Sequence, residues 1–207
     1  MTPPLSRPRS IHLVGLTALG LLGLLATPSA AWAHSSAGAP GATSGLTSGL
    51  VHPISGIDHL LAMLAIGVVA ALTSSRRTAL LTPIGFLTGM VAGGVLGMGG
   101  FAPPGHEVLV AASVVGLGLL CAVDLRRGAI MLPLLAFLFG VSHGQAHGLE
   151  LPGAASPVLY AVGVLLTSIA LHLCGALGGR AIRGVPQLRV AIGTLVSGVG
   201  AVLLLGV

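Results

Sequence analysis

The stretch that decides the fold is residues 78–98, TALLTPIGFLTGMVAGGVLGM, which contains no charged side chain. A helix needs roughly 20 apolar residues to cross the ~30 Å hydrocarbon core of a bilayer, and this stretch is about that long. The basic pair Arg76 and Arg77 stands directly before it. An uncharged run of this length that begins at a basic pair is typical of a transmembrane helix.

The rest of the chain has the same character. Of its 207 residues, 54% are hydrophobic and 6% are charged, and the mean hydropathy is +1.04. Soluble domains carry about 25% charged residues, so a soluble fold would lack the polar surface it needs. We therefore predict an all-α polytopic membrane helix bundle with six transmembrane helices after a cleaved signal peptide. The six apolar runs are residues 53–73, 78–98, 107–124, 128–147, 157–178 and 189–206.

Residues 1–33 have the pattern of a secretory signal peptide. A basic start with Arg7 and Arg9 is followed by an apolar stretch and then by Ala31-Trp32-Ala33, a small-x-small cleavage pattern. Cleavage there leaves His34 as the new N-terminus; the alternative is an uncleaved first span.

The remaining chain divides into two predicted parts. Residues 34–52 are predicted to be a periplasmic lead-in, with little regular structure over 35–49, where Ser, Gly, Ala and Thr dominate. Residues 53–207 are predicted to form the six-helix permease domain. Its first helix is expected to begin at Pro53, since proline suits the first helical position.

Arginine occurs only in alternate loops between the predicted spans. The basic residues of these loops are Arg76, Arg77, Arg126, Arg127, Arg180, Arg183 and Arg189, whereas loops 99–106 and 148–156 have none. The positive-inside rule then places the arginine loops in the cytoplasm and both mature termini in the periplasm of a multi-pass inner-membrane protein. Spaced arginine pairs do not form the continuous basic face of a nucleic-acid-binding protein, so no nucleic-acid partner is expected.

Four glycines, Gly85, Gly89, Gly93 and Gly97, recur at every fourth position of the second run. They form one smooth helix face that permits close helix contact. This face predicts packing within the chain and leaves a homo-oligomer open.

The ionisable residues gather at the predicted outer ends of the spans. His52, Asp58 and His59 lie at the first span, and His143, His147 and Glu150 close the fourth. Charged groups in the membrane are expensive and point to function. His143 and His147 are four residues apart and share a helix face. Imidazole nitrogens with carboxylate oxygens suit Ni, Co, Zn or Mn better than Cu(I), so the sequence predicts a site for a divalent transition metal.

The third span opens with His106 and Glu107, and Glu107 is expected to add negative charge to the metal site. Three histidines are weaker candidates for metal ligands. His106 is equally well explained as an interfacial polar residue, and His172 as a buried, hydrogen-bonded core residue. His34 is a candidate because a terminal amine and an imidazole together form a chelator. The set of candidate metal residues is therefore His52, Asp58, His59, His143, His147, Glu150 and Glu107, then His34, His106 and His172.

Two local strings carry a family resemblance. The first, HPISGIDH, spans residues 52–59, and the second, HGQAHGLE, spans residues 143–150. Together and in this order they resemble the motifs of the HupE/UreJ family of hydrogenase and urease accessory proteins, over essentially the whole mature chain. The family commonly has an aromatic residue directly before the second motif, where this chain has Ser142.

The resemblance implies a permease for nickel, or for nickel and cobalt, with the acids and histidines of both motifs engaged in metal transport. It also implies the role of Glu107, since the family tends to carry a glutamate at the start of the third span. We expect a secondary or facilitative transporter without enzymatic activity or prosthetic group, whose partners are a divalent ion (nickel, alternatively cobalt, zinc or copper) and the lipid bilayer. The alternatives are a metal-binding protein that does not transport, an intramembrane metalloenzyme, and a haem-binding electron carrier using a pair such as His59 and His143.

Overall fold

The computed structural model describes residues 42–123, 125, 129–153 and 155–207, with side chains from residue 45 onward. The predicted signal peptide and His34 lie outside the described residues, as do Asp124, Arg126 and Arg127. Seven α-helices occur in the described part: α1 (Ala42–Ser55), α2 (Ile57–Leu72), α3 (Arg76–Met98), α4 (His106–Ala122), α5 (Leu132–Leu149), α6 (Pro157–Ile182) and α7 (Pro186–Leu205). A short 3-10 turn, Ala129–Met131, leads into α5.

The fold is all-α over the described residues, and each predicted apolar run contains a helix. Four helical segments there are long and apolar enough to cross a bilayer, namely α3, α5 with its 3-10 turn, α6 and α7. The pair α1 and α2 meets the same condition only when taken together, which makes up to five. The remaining run forms α4, a shorter apolar helix of 17 residues. The count of six spans stays a prediction.

The first predicted span is where the structure departs most from the sequence analysis. A single helix from Pro53 onward was expected, but α1 and α2 are separate helices that meet at Gly56 with a bend of 81°. Residues 42–49, expected to lack regular structure, belong to α1, and Pro53 lies inside that helix near its end. Packing explains the difference, because Gly49 of α1 lies directly against the backbone of Tyr160 in α6.

The glycine face of α3 packs against α5 within the same chain. A methyl group added at Gly89 or Gly93 would collide with the carbonyl oxygen of Phe137 or Val141. From the other side, Gly140 lies against the backbone of Phe86. The contacts advance along both helices together, so α3 and α5 run in the same direction. Gly85 and Gly97 continue this α3–α5 seam at its two ends, against Pro133 and Gln145.

Two arginines close the ends of helices. The Arg183 Nη2 donates to the carbonyl oxygen of Thr73, which caps α2, at 2.7 Å. The Arg189 Nη2 donates to the carbonyl oxygen of Val123, which caps α4, at 2.6 Å. Cations at helix C-termini satisfy open carbonyls and complement the helix dipole. We call this side of the bundle the arginine end and the side of residues 52–59 and 143–150 the motif end.

A buried cluster of apolar side chains fills the centre of the bundle. Met63 and Ile66 of α2, Phe86 of α3 and Val114 of α4 are fully buried there. The outward faces of the helices are also apolar, with residues such as Leu80, Val95 and Leu177 more than half exposed. Apolar side chains on both the inside and the outside are what a bilayer solvent requires.

Candidate metal centre

Four histidine rings from three helices meet at the motif end. The ring centres of His59 and His147 are 4.3 Å apart, and those of His59 and His143 are 4.8 Å apart. His52 lies 4.8 Å from His147 and 6.3 Å from His59. We call these four residues the four-histidine centre. Because the chain turns sharply at Gly56, His52 and His59 reach the histidines of α5 from separate helices, His52 at His147 and His59 at both His143 and His147.

Two rings of the centre are held by carboxylates. The His59 Nδ1 lies 2.7 Å from the Asp58 Oδ1, and the His52 Nε2 lies 2.8 Å from the Glu150 Oε2. An ionised carboxylate only accepts hydrogen bonds, so each of these ring nitrogens carries the proton. The lone pairs of His59 and His52 are then on Nε2 and Nδ1. Carboxylates commonly orient metal-binding histidines in this way.

A third ring is held by a hydroxyl group from another helix. The His143 Nε2 lies 2.7 Å from the Ser113 Oγ, and the same Oγ donates to the Val110 carbonyl oxygen at 2.7 Å. Since that donation uses the one proton of the hydroxyl, Ser113 accepts from the His143 Nε2–H. The lone pair of His143 is therefore on Nδ1. Sequence reasoning missed Ser113, because a lone serine in an apolar run carries no signal that separates it from a packing residue.

Four buried ring nitrogens of the centre have no hydrogen-bond partner among the described residues. Within the described part of the chain, the His59 Nε2, the His143 Nδ1 and both nitrogens of His147 are buried and unpartnered. Leaving a buried polar atom unpaired costs about 1–3 kcal/mol. A cation bound to these lone pairs would remove that cost.

No group of three or more His, Cys, Asp or Glu side chains among the described residues is already arranged to hold a metal ion. The ring spacings are nevertheless close to what a shared ion requires. Two imidazoles bound through bonds of about 2 Å have ring centres about 5 Å apart.

The centre is open toward His52 and Glu150. Their side chains are 25% and 56% exposed, whereas His143 and His147 are buried. Burial alone would raise the pKa of Glu150, but the hydrogen bond and charge of His52 and the charge of His59 outweigh it, so its pKa lies below the usual value. Glu150 is thus a carboxylate at the mouth of the centre. Tyr160 packs on His52, with ring centres 5.6 Å apart.

Three predicted site residues lie elsewhere. His106 and Glu107 begin α4 as expected, but Glu107 is exposed and both residues line a different hollow, beside Pro103 and Pro104. His172 is buried on α6 next to Phe86. His172 is buried, as expected of a core histidine, but neither of its ring nitrogens has a hydrogen-bond partner among the described residues.

The chain is similar to known proteins over most of its length. A family model described as HupE / UreJ protein matches residues 12–203. The chain belongs to the HupE/UreJ family. A curated relative, Protein HupE of Rhizobium leguminosarum bv. viciae, is 38% identical over 192 residues, which cover 89% of this chain and 95% of the relative. No solved structure matches the chain.

Family membership confirms the resemblance that the two motifs indicated. HupE/UreJ proteins are hydrogenase and urease accessory proteins connected with nickel and cobalt transport. Together with the apolar helices, this places the chain among membrane proteins of metal transport. The relative is matched over almost its whole length, so the likeness is not confined to the motifs.

Proposed function

We propose that this protein is a secondary or facilitative permease that carries a divalent transition metal, nickel or else cobalt, from the periplasm into the cytoplasm for metalloenzyme maturation. The observation that carries the proposal is the four-histidine centre. Three of its rings are held through one nitrogen by an oxygen acceptor, and unpaired nitrogens remain beside one another. Such an arrangement supplies lone pairs to a cation.

The residues of the two motifs divide into donors and positioning groups. His52, His59, His143 and His147 supply nitrogen ligands. Asp58 and Glu150 orient His59 and His52 and add negative charge beside the rings. A hydrated cation meets Glu150, Asp58 and His52 first, because their side chains are 56%, 30% and 25% exposed, and then loses water as it passes to the buried rings. Glu107 adds negative charge on the same outer face.

The chemistry of the donors supports a borderline transition metal. Imidazole suits Ni, Co and Zn, while Mg and Ca prefer sites made of oxygen and Cu(I) prefers sulfur. All four rings contribute nitrogen, and no cysteine belongs to the centre, since Cys121 and Cys174 lie elsewhere. The proposed cargo is therefore Ni²⁺, with Co²⁺ and Zn²⁺ as the nearest competitors.

Transport also requires that the ion leave. Conduction needs sites that bind well enough to admit an ion and weakly enough to release it. The described side chains of the centre do not already form a group that could hold a metal ion, so binding must reorganise them, and this favours release. The membrane potential supplies about 2.3 kcal/mol per charge per 100 mV, and about double that for a dication. The chain has no nucleotide-binding motif, so this potential or proton exchange is the proposed driving force.

The proposed topology has six spans with the motif end in the periplasm. Helix directions support it, because α3 and α5 run the same way while α4 and α7 run opposite to each other along their close glycine contacts. Alternation of direction along the chain produces this pattern. In this topology a signal peptide of residues 1–33 is removed, both mature termini are periplasmic, and the arginine end is cytoplasmic.

The alternative functions have less support. A haem between His59 and His143 would need a porphyrin plane between rings that are 4.8 Å apart and in edge contact. An intramembrane metalloenzyme would need a general base beside a closed metal site, but each carboxylate of the centre is engaged with a histidine. A binding protein that does not transport would have the same site as a permease, so a measurement of metal flux is needed to distinguish the two.

Uptake of radioactive nickel into cells that express the protein tests the proposal. We expect Asp58→Ala and His143→Ala to lose most uptake, while Ser142→Ala retains it. Ser142 is the control, because it neighbours His143 but, among the described residues, its hydroxyl donates to the Phe139 carbonyl of its own helix and not to the ring. Undiminished uptake in both site variants would show that the site assignment is wrong. If purified protein gives no nickel flux in liposomes, the permease is refuted and a metal-binding protein that does not transport remains.

A further inference from the structure

His172 is a buried polar residue that the four-histidine centre does not use. It lies on α6 and is 5% exposed. Both of its ring nitrogens are buried, and neither has a hydrogen-bond partner in the part of the chain that the structure describes. A ring that only fills space would be replaced without loss by an apolar one, whereas an imidazole pays the desolvation of two polar atoms.

Phe86 joins His172 to the centre. The ring of Phe86 is fully buried, and its centre lies 5.6 Å from that of His143 and 5.4 Å from that of His172. The contact with His172 is edge-on, with an angle of 78° between the ring planes. One aromatic side chain thus contacts a ligand of the outer centre and the isolated inner histidine.

The depths of the three rings show that Phe86 lies between the two histidines. Tyr160 of α6 packs beside His52, at the level of His147. His172 is twelve residues further along α6, which is about 18 Å toward the arginine end, and His143 is one turn of about 6 Å below His147. His172 is therefore about 12 Å deeper than His143. The distances from the Phe86 ring centre to those of His143 and His172, 5.6 and 5.4 Å, together nearly equal this difference in depth.

We propose that His172 is a second, inner binding site for the transported cation, and that the Phe86 ring separates it from the four-histidine centre. The ligand is a divalent first-row transition ion of the class that imidazole binds, held by one histidine nitrogen and by water that travels with the ion. This inference rests on the proposed function and extends it by one step along the path. The ion leaves the outer centre, passes the edge of Phe86, and pauses at His172 before release at the arginine end.

A single imidazole suits an inner site. Several strong ligands at that depth would trap the ion, and conduction requires a site from which it can leave. A wholly apolar passage would expose a dication to hydrocarbon, where charged groups are expensive. One nitrogen ligand midway to the arginine end lowers that barrier without creating a trap.

Nickel uptake kinetics in proteoliposomes test the inner site. We expect His172→Gln to lower the maximal rate about tenfold or more while the half-saturating nickel concentration changes less than about threefold, because capture occurs at the outer centre. His172→Cys restores a metal ligand and is expected to recover at least half of the lost rate. The matched control is Ser168→Ala, one turn away on α6, whose buried hydroxyl donates to the Val164 carbonyl of its own helix. Wild-type rates in His172→Gln, or equal loss in the Gln and Cys variants with unchanged thermal stability, would overturn the inner site.

A second measurement separates this inference from the permease itself. Paramagnetic Ni²⁺ added to the purified wild-type protein is expected to broaden the His172 ring signals in NMR spectra, and His143→Ala is expected to leave that broadening in place. Nickel uptake by the wild type without any broadening at His172 refutes the inner site and leaves the permease standing. Broadening at His172 in a protein that gives no nickel flux supports the inner site and refutes the permease.

Discussion

The α3–α5 seam and the four-histidine centre share helix α5 but differ in how completely their atoms are packed and hydrogen-bonded. In the seam, glycines such as Gly89 and Gly140 bring backbone against backbone, with no space for a methyl group. In the centre, one turn or two further along, ring nitrogens are buried without partners among the described residues. The seam has no space left between its two backbones, whereas the centre still has buried polar atoms without a partner among the described residues. The difference indicates that the seam provides the rigidity with which the centre holds three rings with unpaired nitrogens close together.

The largest expected effect is a loss of stability when a glycine of the seam is replaced. Gly→Ala inside a helix ordinarily stabilises by about 0.5–1 kcal/mol. At Gly89 the added methyl group meets the Phe137 carbonyl oxygen, so we expect Gly89→Ala to destabilise by about 3 kcal/mol, the upper end for overpacking, because backbone cannot rotate away. Thermal unfolding of the purified protein measures this.

The control for that change is Gly178→Ala on α6. A methyl group at Gly178 meets nothing within 4 Å, so this variant is expected to keep or slightly raise the melting temperature. Equal melting temperatures for the two variants would show that the seam tolerates separation, and the contrast between seam and centre would fail.

The next effect lies in the centre and concerns function more than stability. Asp58→Asn keeps the shape of the side chain but removes the charge that holds the His59 ring at 2.7 Å. Loss of such an orienting carboxylate typically lowers metal affinity 10–100-fold. We expect the half-saturating nickel concentration for uptake to rise by about that factor. A variant with wild-type uptake and wild-type stability would mean that Asp58 does not orient a ligand.

The seam and the centre also differ in how far the sequence could predict them. Helix positions followed from apolar runs, and the face of Gly85 to Gly97 followed from its four-residue period, because both are properties of one helix. His143 and His147 were correctly placed on a shared face for the same reason. The family resemblance then linked the two motifs, and the match over residues 12–203 bears it out.

Features that depend on contacts between helices could not be predicted from the sequence. The bend at Gly56 was not predicted, because α1 is composed of residues that usually form loops and is stabilised by packing on α6. The meeting of His52 with His147 depends on that bend. The sequence placed Asp58 and Glu150 among the candidate metal residues, and the interatomic distances then show that each contacts a histidine ring.

The smallest expected effect tests the hydrogen bond that Ser113 of α4 makes to the centre. Ser113→Ala removes the hydroxyl that accepts from the His143 Nε2–H. The ring stays in place because it is fully buried, but its tautomer is no longer fixed. We expect the half-saturating nickel concentration to rise about tenfold, the lower end for loss of an orienting partner. Nitrogen NMR of His143 should change from a single Nε2-protonated form to a mixture.

Ser113→Thr keeps the hydroxyl and is expected to keep both the uptake and the tautomer. Ser142→Ala, next to His143 on the same helix, removes a hydroxyl that does not touch the ring and should change neither. If Ser113→Ala leaves the tautomer unchanged while uptake falls, Ser113 acts through packing, like a residue of the seam. The boundary between the two regions would then lie within the centre itself, between the rings held by carboxylates and the ring held by α4.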